Sequence, residues 1–210
     1  MSRSIPFYRQ SELKCCDVAT TTNVISTTAT FVAVNIPVQG AAVYNRVGNE
    51  IEMKSLHLIG QIDPTANSNA SSEYLRIMVV YDRQTNGAFP TIADLITSYD
   101  TTGATTSTVL DHTNPNNFDR FRILCDIRIP IANDASTAPS AKSQFTNDYN
   151  NELNINRFIN LKGMGTKYKA SAGAIGDIAS GGLYVVTFGD TAVASAAYAL
   201  QWTARLRFVD

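Results

Sequence analysis

The stretch Phe121-Arg-Ile-Leu-Cys-Asp-Ile-Arg-Ile129 decides the fold class, because its side chains alternate in character with a period of two. Apolar side chains share one face, namely Phe121, Ile123, Cys125, Ile127 and Ile129. Charged side chains share the other, namely Arg120, Arg122, Asp126 and Arg128, and only Leu124 interrupts them. Such alternation predicts a half-buried β-strand with one face on a core.

The C-terminal segment repeats this pattern, which predicts a second long strand over 198–208. Its apolar face carries Tyr198, Leu200, Trp202, Ala204, Leu206 and Phe208. We therefore expect Trp202 to lie between two sheets. Six further segments have strand-like patterns, bounded by turn residues. They are 12–18, 30–36, 51–62, 74–82, 155–162 and 183–188.

Three local features refine this series of strands. Residues 75–82, LRIMVVYD, are apolar on both faces, which predicts a strand covered on both sides. Ile51 and Met53 are out of phase with the apolar residues that follow them, which predicts a bulge near Ser55. A short helix is expected over 92–96, because Thr91 and Asp94 form a capping-box pattern at its start.

Eight strands joined by long polar loops predict a single all-β domain. We expect an antiparallel jelly roll of two four-stranded sheets with one short helix, over residues 12–210, preceded by a short arm at 1–11. The alternative is an immunoglobulin-like sandwich. That fold usually needs about 100 residues and, in its disulfide-bonded form, a Cys…Trp…Cys spacing that this chain lacks.

Composition limits the possible functions. The chain has 210 residues, 44% apolar, and its 17% of charged residues is low beside the roughly 25% of an average domain. No apolar run is long enough to span a membrane and the first residues lack a secretory signal, so we expect a soluble protein made inside the cell. A net charge of -1 argues against a surface that binds nucleic acid throughout.

Residues for catalysis or metal binding are scarce. The two histidines, His57 and His112, stand apart, and no spacing in the chain matches a metal site. Asp111 and His112 lack the nucleophile motif that would complete a triad. The loop carboxylates Asp100, Asp111 and Asp119 are expected to be solvated rather than to bind calcium. The sequence therefore predicts no enzyme, no metal and no cofactor.

The cations offer the one candidate binding surface. Arg205 and Arg207 share the polar face of the last strand, and three further cations, Arg3, Arg9 and Lys14, lie within the first fourteen residues. These residues can form a solvated sheet face or a small basic patch that contacts phosphate. Composition alone favours the solvated face.

Four blocks of sequence resemble a known family. They are RVGNEIEMKSL at 46–56, LRIMVVYDRQTNG at 75–87, PTIADLI at 90–96 and FRILCD at 121–126. Together, in this order and spacing, they look like the capsid proteins of rep-encoding circular single-stranded DNA viruses, which share the single jelly roll of small satellite plant virus capsids.

The resemblance implies a subunit of an icosahedral shell, typically of sixty copies, that encloses a single-stranded DNA genome. The first, third, sixth and eighth strands would form the sheet facing the interior, which would bring Lys14, Lys162, Arg205 and Arg207 near the DNA, with Arg3 and Arg9 on the arm. The implied partners are further copies of the chain, the genome and an unidentified host receptor, without membrane insertion. The protein would be found in the virion and assembled inside the host cell, in the nucleus or cytoplasm.

One departure from the family pattern concerns the N-terminus. Such capsids commonly begin with a long basic arm, whereas three cations less Glu12 give only +2 here, or about +120 for sixty copies against thousands of phosphates. We therefore expect weak, sequence-independent DNA contact, unless a basic arm of the natural protein is missing from this sequence. The alternative functions are a non-viral jelly-roll binding module, such as a trimeric ligand or a lectin, and, less favoured, a hydrolase with a loop-borne site.

Overall fold

Two antiparallel sheets pack face to face in the computed structural model, which describes residues 12–64, 73–131, 154–192 and 198–210. Eleven strands lie within these ranges. In chain order they are β1 (Lys14–Val24), β2 (Thr30–Ala33), β3 (Glu50–Pro64), β4 (Glu73–Asp82), β5 (Ser98–Tyr99), β6 (Thr105–Thr106), β7 (Phe121–Ile131), β8 (Asn154–Tyr168), β9 (Ile178–Ser180), β10 (Gly182–Gly189) and β11 (Tyr198–Val209). All eight predicted strands are present, and the arm at 1–11 lies outside the described residues.

The order of the strands is that of a jelly roll. Sheet A has the order β1-β11-β3-β8-β9, and sheet B has the order β2-β10-β4-β7. The first, third, sixth and eighth predicted strands thus form one sheet, as the resemblance implies. The prediction of four strands in each sheet is wrong for sheet A, where β9 pairs with the end of β8 at Lys167 and Tyr168. The sequence does not predict β9, because three residues are too few to show an alternation of apolar and polar side chains.

The main core lies between the two sheets. Sheet A contributes Met53, Leu56 and Leu206, and sheet B contributes Ile77 and Leu183, all fully buried. Trp202 belongs to the same cluster and is 3% exposed, which confirms its predicted position between the sheets. Burial of this apolar surface is the main force that holds the sandwich together.

A second apolar cluster covers the other face of sheet B. Met78 and Val80 of β4 and Val186 of β10 pack there against Leu95 and Ile96. Leu95 ends helix α1 (Ile92–Leu95), where the Asp94 carboxylate accepts a hydrogen bond from the Thr91 backbone N–H, as the capping pattern predicts, and another from the Thr91 hydroxyl. The prediction that residues 75–82 are covered on both sides is therefore confirmed.

Bulges change the phase of two strands. In β3, Lys54 has no paired residue on β11, because Arg207 pairs with Ser55 and Phe208 with Met53, so the predicted bulge lies beside Ser55. In β7, Leu124 has no paired residue on β4, because Cys125 pairs with Val79 and Ile123 with Val80.

The bulge at Leu124 makes one sequence prediction wrong. The apolar residues from Phe121 to Ile129 do not share a single face. Phe121 and Ile123 pack in the second cluster, whereas Cys125, Ile127 and Ile129 pack between the sheets. A bulge adds one residue to one strand, so the alternation passes from one side of the sheet to the other.

Candidate nucleic-acid interface

The candidate interface is the side of sheet A that points away from the core. We call it the exposed face of sheet A and define it by fourteen side chains of the four long strands. They are Cys15, Asp17 and Ala19 of β1, Gln201, Thr203, Arg205 and Arg207 of β11, Ser55, His57, Ile59 and Gln61 of β3, and Asn156, Phe158 and Asn160 of β8. Most of them are solvent-exposed. The face is therefore broad and polar, with few charges.

Arg205 lies near the middle of this face but is already paired. Its guanidinium donates two hydrogen bonds, of 2.8 and 2.7 Å, to the two carboxylate oxygens of Asp17 on the neighbouring strand. These hydrogen bonds lower the pKa of Asp17 and raise that of Arg205. Because both groups stay charged and face each other, Arg205 adds little net positive charge to the face.

Arg207 and Lys162 are the exposed candidate cations without such a partner. Both are solvent-exposed, and within the described ranges no carboxylate lies within 4.0 Å of either charged group. Lys162 lies in a bulge of β8 with a φ of 51°, and Gly163 follows with a φ of 74°. The backbone N–H of Lys162 donates a 2.9 Å hydrogen bond to the side chain of Asn160, which helps to fix this unusual conformation.

Lys14 does not lie on the exposed face. Its side chain is 4% exposed, and its ammonium lies 3.2 Å from the carboxylate of Asp210. Burial alone would raise the pKa of Asp210, but hydrogen bonds from the Val47 backbone and from Lys14 lower it. Lys14 therefore joins the two chain ends of the jelly roll and offers no free charge in this structure. Arg3 and Arg9 lie outside the described residues.

The fully buried arginines have structural roles. The guanidinium of Arg76 donates two 2.8 Å hydrogen bonds to Asp126 and two more to the backbone carbonyls of Val109 and Asp111. Arg46 donates to backbone carbonyls as well, and its guanidinium lies 4.1 Å from the centre of the Tyr168 ring. These two arginines hold long connections against the sheets.

Sequence reasoning missed an aromatic side chain on the exposed face. Phe158 of β8 is 64% exposed, and its ring centre lies 6.2 Å from that of His57 on the adjacent strand. His57 is in turn 2.9 Å from the side-chain oxygen of Asn156. The sequence does contain a sign of this residue. Ile155, Ile159 and Leu161 point to the core, so Phe158 is an aromatic residue among the side chains that alternate toward solvent.

The described residues hold no group of three or more His, Cys, Asp or Glu side chains placed to bind a metal ion. The Asp111 carboxylate accepts the backbone N–H of Thr108, and the Asp100 carboxylate accepts those of Thr102 and Ala104. Both carboxylates thus stabilise their own turns. In the same ranges, no helix has the length and hydrophobicity needed to cross a membrane.

The class defined by this fold and surface is a jelly-roll protein built around a broad polar sheet face. The chain belongs to the geminivirus coat protein/nuclear export factor BR1 family, whose model matches residues 1–210. Geminiviruses have circular single-stranded DNA, so the resemblance noted from the four sequence blocks is confirmed. The chain is a viral capsid protein, found in virions, that associates with itself and with a viral genome.

Two solved capsid structures are similar to the chain at low identity. One is that of Desmodium yellow mottle tymovirus, with 12% identity and a TM-score of 0.40 over 100% of this chain and 94% of that chain. The other is the human polyomavirus 6 VP1 pentamer, with 7% identity and a TM-score of 0.33 over 98% of this chain and 96% of that chain. No curated protein sequence matches the chain.

Proposed function

We propose that the chain forms an icosahedral shell of sixty copies in which the exposed face of sheet A lines the interior and contacts single-stranded DNA. The observation that carries this proposal is the contrast between the two sheets. The outer side of sheet B is covered by α1 and the β4–β7 connection, whereas no element of the described ranges covers the corresponding side of sheet A across its four long strands. An open polar face is suited to lie along an extended polymer.

The charges on this face favour weak DNA contact that does not depend on sequence. Arg207 is an exposed cation on this face and Lys162 is another in the adjoining bulge of β8, while Asp17 neutralises Arg205. Phosphate contacts of this kind read no bases and weaken steeply as salt rises. With few free cations on each subunit, we expect particles made from this chain to be largely empty, or to hold nucleic acid that high salt removes.

Self-association requires exposed apolar surface, and the β2–β3 connection supplies it. Val43, Tyr44 and Val47 are each more than half exposed in this loop. The loop is nevertheless well anchored, because Arg46 is buried within it and the Val43 carbonyl accepts the Cys15 backbone N–H. Apolar groups held outward by a rigid loop are typical of contacts between protein chains. We infer that this loop patch contacts a neighbouring subunit.

Further parts of the proposal concern the virus cycle. Assembly takes place inside the host cell, in the nucleus or the cytoplasm, and the assembled shell binds a host receptor without inserting into a membrane. Residues 1–11 act as a short arm that brings Arg3 and Arg9 toward the DNA. The alternative function, a non-viral jelly-roll binding module, is not favoured because the chain belongs to a viral coat protein family.

Sedimentation and negative-stain microscopy of the purified chain test the shell. Sixty copies of 22.8 kDa amount to about 1.4 MDa, whereas a trimeric binding module would sediment as about 70 kDa. Tyr44→Asp should prevent particle formation while the circular dichroism spectrum stays unchanged, and Tyr44→Phe should still assemble because it keeps the apolar ring. A folded wild-type chain that stays a monomer or trimer would contradict the proposal.

A further inference from the structure

We infer that Phe158 is a stacking site for the unpaired bases of single-stranded DNA on the exposed face of sheet A. The inference rests on the proposed function, because it needs this face to meet the genome, and it adds a non-electrostatic contact to the proposed one. Single-stranded nucleic acids commonly bind to surfaces that combine cations with exposed aromatic rings, since every base has a flat face that can stack.

The position of Phe158 in the sheet supports a ligand-facing role. Along β8, Ile155, Ile159 and Leu161 point to the core, while Phe158 points the other way and is 64% exposed. Ile59, on the adjacent strand β3, is 51% exposed and pairs with Asn156, two residues before Phe158. Ile59 and Phe158 thus form a small apolar area that spans β3 and β8 on an otherwise polar face. A single exposed hydrophobic residue is ordinary, but two on neighbouring strands form a local apolar surface.

The groups around Phe158 suit a nucleotide. On β8, Asn156 and Asn160 lie two residues to either side, so their amides flank the ring on the same face. Across the sheet, the pairing Phe158–His57–Arg205–Asp17 forms one row. Arg205 is two strands away from Phe158, about 10 Å at ordinary strand spacing. The amides can donate and accept hydrogen bonds at base edges, and the exposed Arg207 supplies positive charge for a phosphate.

The low net charge of this face favours single-stranded nucleic acid, bound through its bases, over a strongly acidic or basic protein partner. Asp17 is the acidic member of the fourteen side chains that define the face, and Arg205 neutralises it. Arg207, in the next row, stays exposed. Asp63, the next residue in the outward phase of β3, accepts a hydrogen bond from Gln61 of the face. The face is therefore close to neutral and rich in amides, with its apolar side chains on β3 and β8. In a duplex the stacking of neighbouring base pairs covers the flat faces that Phe158 needs, so the expected ligand is a single strand.

The test compares two single-stranded ligands of equal length, oligothymidylate and a fully abasic deoxyribose-phosphate strand. The protein is the full-length chain, kept unassembled at low concentration and checked by sedimentation, with binding measured by fluorescence anisotropy at low salt. Phe158→Ala should weaken oligothymidylate binding about 5- to 150-fold, the loss expected for one stacked base. It should leave abasic-strand binding unchanged, because phosphate contacts remain. Phe158→Tyr should bind like the wild type, and Phe158→Leu like Phe158→Ala.

Ile59→Ala is the matched control, because it removes an exposed apolar side chain from the same face without removing an aromatic ring. It should change the preference for oligothymidylate much less than Phe158→Ala does. Thermal unfolding of every variant checks that the fold is intact. Phe158→Leu keeps most of the apolar volume, so it tests the inference even if the alanine variant folds poorly.

Three results would overturn the inference. They are equal binding of the two strands by the wild type, an equal loss of both strands in Phe158→Ala, and a Phe158→Ala chain that keeps oligothymidylate binding but no longer assembles. The last would show that Phe158 contacts another subunit. Failure of the proposed function is distinguishable, because the wild type would then bind neither strand at low salt.

Discussion

The carboxylate of Asp17 accepts two hydrogen bonds, 2.8 and 2.7 Å long, from the guanidinium of Arg205. The two residues are 188 positions apart in the chain and meet because β1 pairs with β11. Their ion pair occupies the middle of the surface that we assign to DNA. The pair lowers the positive charge of that surface. Arg205 can contact a phosphate only if it leaves Asp17 or divides its hydrogen bonds between Asp17 and the phosphate.

Removing the Asp17 charge should therefore strengthen DNA binding. In Asp17→Asn, Arg205 is free to contact a phosphate, so affinity for single-stranded DNA at low salt should rise. The plot of log affinity against log salt should become steeper by about 0.7 for each added contact. Asp119→Asn is the control, because it makes the same change in net charge at an exposed loop outside the face.

The pH dependence of this variant provides a second readout. Arg205 lowers the pKa of Asp17, so the pair is charged above the ordinary carboxyl range, and its contribution is lost only as pH falls through the lowered pKa. The affinity difference between wild type and Asp17→Asn should thus be constant from about pH 5 to 8, above the usual aspartate pKa of about 3.9. No affinity gain in the variant, or a gain matched by Asp119→Asn, would contradict the role given to this pair.

Lys162→Gly should weaken DNA binding without changing the stability of the fold much. Lys162 has the left-handed φ of 51°, which glycine adopts without steric cost. Relief of about 1 kcal/mol of strain and the larger entropy loss of glycine nearly cancel, so the free energy of unfolding should change by less than about 1 kcal/mol. The salt slope for DNA should fall by about 0.7 if Lys162 contacts one phosphate.

Lys167→Ala is the matched control for Lys162→Gly. Lys167 is also exposed on β8, but its ammonium lies 3.6 Å from the Glu50 carboxylate. This variant should leave the salt slope unchanged. If both variants lower the slope equally, the effect follows the total charge rather than the position of Lys162.

Arg76 and Arg128 provide a stability test, because both approach Asp126 but differ in burial. The Arg76 side chain is 0% exposed, and its loss leaves Asp126 and the carbonyls of Val109 and Asp111 without these hydrogen bonds. Arg76→Ala should lower the free energy of unfolding by about 3 to 5 kcal/mol. Arg128 lies 3.6 Å from Asp126 and is 40% exposed, so Arg128→Ala should cost at most about 1 kcal/mol. Urea titration measures both, and equal costs would contradict this assignment.

Trp202 tests the packing between the sheets. Its side chain is buried in the main core, so Trp202→Ala should cost about 3 to 5 kcal/mol and reduce the yield of soluble particles. Its indole N–H has no hydrogen-bond partner among the described residues, so Trp202→Phe loses no such bond and should cost clearly less. Denaturant unfolding of the two variants checks this order. Near-wild-type stability in Trp202→Ala would place the ring outside the core.

Sequence patterns predicted the strands, and the family resemblance implied the sheet to which each belongs, but neither predicted the local changes of phase. The apolar residues from Phe121 to Ile129 alternate regularly in the sequence, and Leu124 stands out only as an apolar residue in the charged phase, yet it forms a bulge that shifts the two halves to opposite sides of sheet B. A bulge is set by the partner strand, since Val79 and Val80 pair with residues on either side of Leu124. One strand read alone does not contain this information.

The candidate surface was only partly predictable for the same reason. The polar phase of β11 identified Arg205 and Arg207 as neighbours on one face. The register between strands decided the rest, because it places Asp17 opposite Arg205 and pairs His57 with Phe158. Lys14 was misplaced because its partner, Asp210, is the last residue of the chain, and only the closed sandwich brings the two together.

Electron cryomicroscopy of particles assembled from the chain, with single-stranded DNA present, tests the central claim most directly. The account predicts a closed shell in which the exposed face of sheet A lines the interior, with DNA density against Phe158 and Arg207. A shell that presents this face to the outside, or one in which another subunit covers it, would contradict the account.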